Sequence, residues 1–198
     1  MQNAAAATAA PLAAGSTRDQ ILGVARSLIE TRSYLGFSFQ DVADAVGIRK
    51  ASLYHHFPTK EALGIAVIRQ ATQFFKDWDA ARARTPTDAL DSYFRMYRNT
   101  LRAGSGMCPA GSLAPGWDCI NEELRQAVQE LRHTQVLWLT GVLGALSPAG
   151  ARNNGPSVAA QASYVFSVCQ GALLASRMTG RVEDFDEAIA QLRSSLPG

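Results

Sequence analysis

Cysteine, charge and strand-forming runs are all scarce in this chain. Only three cysteines, Cys108, Cys119 and Cys169, stand among 198 residues. So odd and sparse a set excludes a disulfide framework and points to a reducing compartment, the cytoplasm. No CxxC or HxxxH pair occurs, so Cys108, Cys119 and His133 do not read as a metal site, and no cofactor is expected. A paired-carboxylate site, a Gly-rich phosphate cradle and a nucleophile with a credible base are missing too, which argues against an enzyme. Alternating β-branched runs bounded by turns are absent, so strands are not expected. Charged residues make up 18% and hydrophobic residues 47%, the balance of a soluble globular protein. Charges interrupt the apolar stretches, so no run of about 20 lipid-compatible residues, and no membrane partner, is expected. The opening MQNAAAATAAPLAAGS has no basic residue before Arg18 and a single Leu. It reads as an Ala-rich disordered tail over 1–16 rather than a signal peptide.

What the chain does have is helical spacing from residue 17 to its end. The pattern predicts an all-α protein of about nine helices. The first is expected over 18–32, with Ile21, Val24, Ala25, Leu28 and Ile29 on one stripe and Thr17 with Gln20 as its capping box. Gly36 breaks the chain. Ser38 is placed to accept the amide of Asp41 and so start a short helix whose apolar face is Val42, Ala43 and Val46. Gly47 suits the left-handed turn that ends it, with Ile48 plugging the joint. A third helix over 50–56 would turn Leu53, Tyr54 and Phe57 inward before Pro58 stops it. Thr59 caps a long fourth helix over about 60–82. After a break at 85–87, further helices are expected over 88–102, 121–146, 158–179 and 183–196. The Gly/Pro-rich stretch AGSGMCPAGSLAPGW and the loop SPAGARNNGPS interrupt them.

Two short helices joined by a glycine turn are too short to stand alone and need the first helix as a platform. That is a helix-turn-helix, whose second short helix lies in the major groove. Its outer face should then carry donors. Arg49, Lys50, Ser52, Tyr54, His55, His56 and Lys60 supply them, with Lys50 and Lys60 as exposed cations and Lys60 near a helix start that favours phosphate. Tyr54 reads equally as core and as phosphate ligand, and His56 as a packing or backbone-bonded residue. Charge agrees weakly: 10 Lys and Arg face 7 Asp and Glu in residues 1–84, against 9 and 10 in the remainder.

The block GFSFQDVADAVGIRKASLYHHFPTKEAL, and above all its Leu-Tyr-His-His-Phe-Pro-Thr-Lys run, resembles the DNA-binding domain of the TetR/AcrR family of regulators. The resemblance implies DNA contacts at Ser38, Arg49, Lys50, Ser52, Tyr54, His55 and Lys60. Arg49 stands where the family usually has a Ser before the Lys. The resemblance also implies three segments: a tail over 1–16, a helix-turn-helix domain over 17–62, and a helical effector-binding and dimerisation domain over 63–198. Double-stranded operator DNA, a small apolar or aromatic effector and a second copy of the chain are the implied partners, and a ligand- or redox-responsive repressor the implied function.

For the effector cavity the candidate residues are Tyr93, Met96, Tyr97, Cys108, Trp117, His133, Leu137, Trp138, Phe166 and Cys169; each also suits ordinary core. Gly106–Ala114 resembles a Gly-Cys-Pro-x-Gly-Asn-Leu-Ala stretch of one branch of the family, some of whose members sense electrophiles or oxidants through that cysteine. Ser112 replaces the Asn. A helix starting after Cys108 would stabilise its thiolate, whereas a buried setting would make it a small hydrophobe. Two apolar stripes are expected to pair in a two-fold dimer: Val165, Val168, Ala172, Leu173, Ala175 and Met178 on one helix, and Phe185, Ile189, Leu192 and Leu196 on the next. Ser167, Gly171 and Ala175 would allow close approach. The alternative is that these stripes are intramolecular core. Two other functions stay open: an all-helical enzyme or redox protein using Cys108, and a small-molecule module without DNA activity.

Overall fold

A computed structural model describes residues 15–80, 85–102, 104, 107–147 and 156–196. Among these residues the chain is all-α, with nine α-helices and no strand. The helices are α1 (Thr17–Arg32), α2 (Phe39–Val46), α3 (Lys50–His56), α4 (Lys60–Ala80), α5 (Pro86–Arg102), α6 (Pro109–Leu113), α7 (Glu122–Leu146), α8 (Val158–Thr179) and α9 (Glu183–Ser194). Residues 1–14 of the expected 1–16 tail, residues 148–155 of the expected loop and the end of the fourth helix beyond Ala80 lie outside the described residues.

Local chemistry sets most of the boundaries. Ser16, not Thr17, caps α1, and Asp19 rather than Gln20 completes the box. A serine hydroxyl one position earlier satisfies the same orphan amides, and Asp is short enough to reach back to Ser16. Gly36 is obligatory, because a Cβ there would sit 2.0 Å from the Arg32 carbonyl oxygen. Thr85 caps α5, its Oγ1 accepting from the Asp88 amide at 3.1 Å, so the helix begins at Pro86 inside the expected break. The Gly/Pro-rich stretch is also more ordered than expected. It forms α6 and a 3-10 helix over Ala114–Cys119, with Pro109 and Pro115 at first-turn positions, where a missing N–H costs nothing.

One continuous core runs through both ends of the molecule. Ile21, Ala25 and Ile29 of α1 meet Val42, Leu53 and Leu63, and Val67 and Ile68 continue it toward Leu124, Leu131 and Leu139 of α7. Helix α7 packs on α4 and α8, and α8 on α9. Among the described residues one helix, α8, is long and apolar enough to cross a membrane by length and composition, which corrects the expectation that no such run exists. Its only charge, Arg177, falls in the last turn. In the fold, Ala162, Val165, Phe166, Cys169, Ala172 and Leu173 of α8 face the core, the behaviour of a central helix in a bundle.

Candidate nucleic-acid interface and effector cavity

The turn between α2 and α3 is built from the residues that the sequence nominated. The Ser38 hydroxyl accepts from the Asp41 amide at 3.3 Å, and the Asp41 carboxylate accepts from the Ser38 amide and hydroxyl, each at 2.6 Å. Those bonds hold the Asp41 carboxyl below the usual carboxylate range, the Ser38 hydroxyl contributing most. Gly47 closes α2 at φ 79°, in the left-handed region, and donates its amide to Ala43 at 2.9 Å. Arg49 then precedes α3 with no side-chain bond to it, as expected of a guanidinium where the capping hydroxyl would stand.

Helix α3 hides Leu53, at 0% exposure, and Phe57 follows it into the core. Arg49, Lys50, Ala51, Tyr54, His55 and His56 are exposed, and Ser52 is half-buried. Two expectations need correction. Tyr54 does not turn inward; it is 48% exposed, with its ring edge-on to Phe39 at 5.2 Å. His56 is exposed, not packed, at the last residue of α3. Ser38, Tyr54 and Lys60 meet around one open hollow of about 480 Å³, so a single patch gathers three of the seven proposed contacts.

Lys60 departs from expectation as well. It is half-buried, and its ammonium donates to the carbonyls of Tyr34 at 2.6 Å and Phe37 at 2.5 Å. It also lies 4.6 Å and 4.3 Å from the centroids of those two rings. Burial holds it below the usual lysine range, against the nearby charges of Glu61 and Asp41. In this arrangement Lys60 ties down the loop between α1 and α2.

The nominated effector residues do not form one pocket. Met96, Tyr97 and Cys108 line a cavity of about 560 Å³. Trp117 and Phe166 line a second, more apolar one of about 540 Å³. Trp138 borders a smaller hollow, its indole N–H donating to Asp79 at 2.6 Å. Tyr93 and Cys169 are fully buried core. His133 is exposed and Leu137 is 62% exposed, since α7 turns its Leu131, Gln135 and Leu139 side inward instead. Between the two large cavities runs a polar chain that the sequence did not reveal. Tyr93 and Tyr97 donate their hydroxyls to Gln135 Oε1 at 3.0 and 2.6 Å, and Gln170 Nε2 donates to the Tyr97 hydroxyl at 3.1 Å. Burial pushes both phenols well above their usual range. The one available signal was Gln135 itself, a polar residue four places from both Leu131 and Leu139 on the apolar stripe of α7.

Cys108 is buried at the head of α6. Burial pushes its thiol up, against the amides of Gly111 and Ala110 and the side chain of Gln170, which pull it down. Burial raises the Cys169 thiol too, and Cys119 is exposed. Among the described residues no three His, Cys, Asp or Glu side chains converge as metal ligands.

Six of the ten residues of the expected dimer stripes prove to be core. Val165, Ala172, Leu173, Phe185, Ile189 and Leu192 are buried within the single chain, because α8 and α9 pack on each other and on α7. The large exposed apolar side chains of α8 are Tyr164, Leu174 and Met178.

A short helix-turn-helix standing on α1 is followed by a cavity-bearing helical bundle. The family of bacterial regulatory proteins called tetR matches residues 21–67. The repressor KstR2 of Mycolicibacterium smegmatis is 34% identical over 82 residues, a match that spans 41% of this chain but only 38% of that repressor. The repressor NemR of Escherichia coli K12 is 23% identical over 91% of this chain and 94% of its own length. A TetR-family regulator from Agrobacterium tumefaciens superposes with a TM-score of 0.83 at 26% identity, over 92% of this chain and 98% of that one. Residues 21–67 therefore carry the DNA-binding domain of the tetR family, and the chain as a whole has the fold of TetR-family regulators.

Proposed function

We propose that the chain is a cytoplasmic repressor that binds a two-fold operator as a homodimer and leaves it when a small molecule fills the bundle. The observation that carries this reading is the exposed face of α3. Arg49, Lys50, Tyr54 and His55 stand clear of a buried Leu53, beside the hollow of Ser38 and Tyr54. Phosphate contacts from such a face set register, and groove contacts set sequence. The proposed segments are a reading unit over 17–62 and an effector and dimer unit over 63–198.

Pairing of copies is supported by α8. Tyr164, Ser167, Gly171, Leu174 and Met178 are all exposed and spaced alternately by three and four residues, the seam spacing of paired helices. Small Ser167 and Gly171 let a second helix approach. The effector is read as apolar or aromatic from the aromatic cavity walls. The response is read as ligand-driven, since a buried thiol with a raised pKa is poorly disposed to oxidation.

A mobility-shift titration on the DNA flanking the coding region tests the reading. A retarded complex at moderate salt, lost with Lys50→Ala, is expected; no specific complex refutes it. Light scattering should give a two-chain mass that Leu174→Glu reduces to one.

A further inference from the structure

The cavity of about 560 Å³ is not confined to the effector helices. Its lining includes Arg26 and Glu30 of α1, the platform helix of the reading unit. Phe75 and Trp78 of α4 line it as an aromatic wall, their rings stacked on each other at 5.5 Å with 27° between their planes. Arg95 and Tyr97 of α5 complete it. Two guanidinium groups therefore face one carboxylate. Arg26 Nε donates to Glu30 Oε1 at 2.8 Å, which pairs one of them. Arg95 donates to the Ser92 hydroxyl at 2.8 Å, and among the described residues no carboxylate pairs with it.

We propose that this cavity takes an aromatic carboxylate, its ring against Phe75 and Trp78 and its anion on Arg95, with Arg26 shared between the ligand and Glu30. The proposal rests on the ligand-responsive reading above and adds the effector's chemical class and its route to the DNA-binding unit. The excess positive charge selects an anion, a guanidinium holds a planar carboxylate through paired hydrogen bonds, and the wall selects a flat apolar body.

The route follows from Glu30, only 7% exposed. Sharing Arg26 with the ligand weakens the pairing of a buried carboxylate, an unfavourable state that the last turn of α1 can relieve by moving. That turn is also held from α8. Arg177 donates to the Glu30 carbonyl at 3.0 Å and to the Thr31 carbonyl at 2.5 Å. Beyond the turn, the chain leads directly to Ser38 and α2. Occupancy is thus felt at the start of the helix-turn-helix without passing through α4.

The test uses the full chain and two matched probes, 2-naphthoate and neutral 2-naphthamide, followed by tryptophan fluorescence. Naphthoate should bind about tenfold or more tightly than the amide, the size of effect expected for one charge-assisted contact. Arg95→Met should abolish that preference, leaving amide affinity unchanged, and Arg95→Lys should keep part of it. With Glu30→Gln, naphthoate should still bind but no longer weaken the operator complex. Equal binding of the two probes, binding of neither, or a preference that survives Arg95→Met overturns the proposal, and a Glu30→Gln protein that still responds overturns the route. Operator binding without ligand is scored separately. A missing operator complex beside an intact acid preference overturns the repressor reading alone, and an intact complex without that preference overturns this proposal alone.

Discussion

The N-terminal three helices and the C-terminal bundle hold their shapes by bonds of different reach. Around the helix-turn-helix the caps are local, Ser16 with Asp19, Ser38 with Asp41 and Gly47 with Ala43, and Lys60 and Arg177 add ties from farther along the chain. In the bundle they connect distant segments: Tyr97 with Gln135, Gln170 with Tyr97, Arg98 with Asp186 and Trp138 with Asp79. Local caps fix the outline of each short helix, as a surface that must match a groove requires. Bonds between distant helices make a cavity whose shape depends on every helix around it, as a sensor requires.

That contrast can be broken at several points. Gln135→Leu should have the largest effect. It deprives two buried tyrosine hydroxyls of their acceptor and should cost about 2–3 kcal/mol in urea unfolding. Operator affinity of the folded protein should persist; a fall in parallel with stability would mean that the two regions form one mechanical unit. Lys50→Ala should weaken operator binding by about tenfold at moderate salt, equivalent to about 1.4 kcal/mol, with the thermal midpoint unmoved. Ser38→Ala should cost about 1 kcal/mol of stability through the lost cap. The smallest effect is on pH. Asp41 is held below its ordinary value of 3.8, so the folded state binds fewer protons than the unfolded state around and below that pH. Its contribution is present above that value and is lost as the pH falls through the lowered one. The difference in urea midpoint between wild type and Asp41→Asn should therefore shrink on acidification below about pH 4. A difference that stays constant would remove Asp41 from the cap.

Reach also explains what was legible in the sequence. Ser38, Gly47, Thr59 and the limits of α3 and α8 follow from residues within four positions of one another, and the structure places them as the sequence implied. The stripes of α8 and α9 were legible as apolar, but pattern alone does not say whether an apolar stripe meets its own chain or a copy. Val165 and Leu173 went to the former, whereas Met178 is 76% exposed. The cavity residues fared worst. Tyr97, Gln135 and Gln170 lie far apart in sequence and converge only when α5, α7 and α8 pack together. Arg26 and Glu30 stand i, i+4 on α1, and that spacing alone does not reveal that α4, α5 and α6 close over them.

Lys60 carries one last consequence. Each cation that neutralises a phosphate releases a counterion and steepens the dependence of binding on salt. A lysine already engaged by two carbonyls and two rings is not a free charge of that kind. It joins the count only by releasing Tyr34 and Phe37, and so by loosening the loop that positions α2. The salt slope of operator binding therefore measures the mobility of that loop as well as the number of phosphates touched.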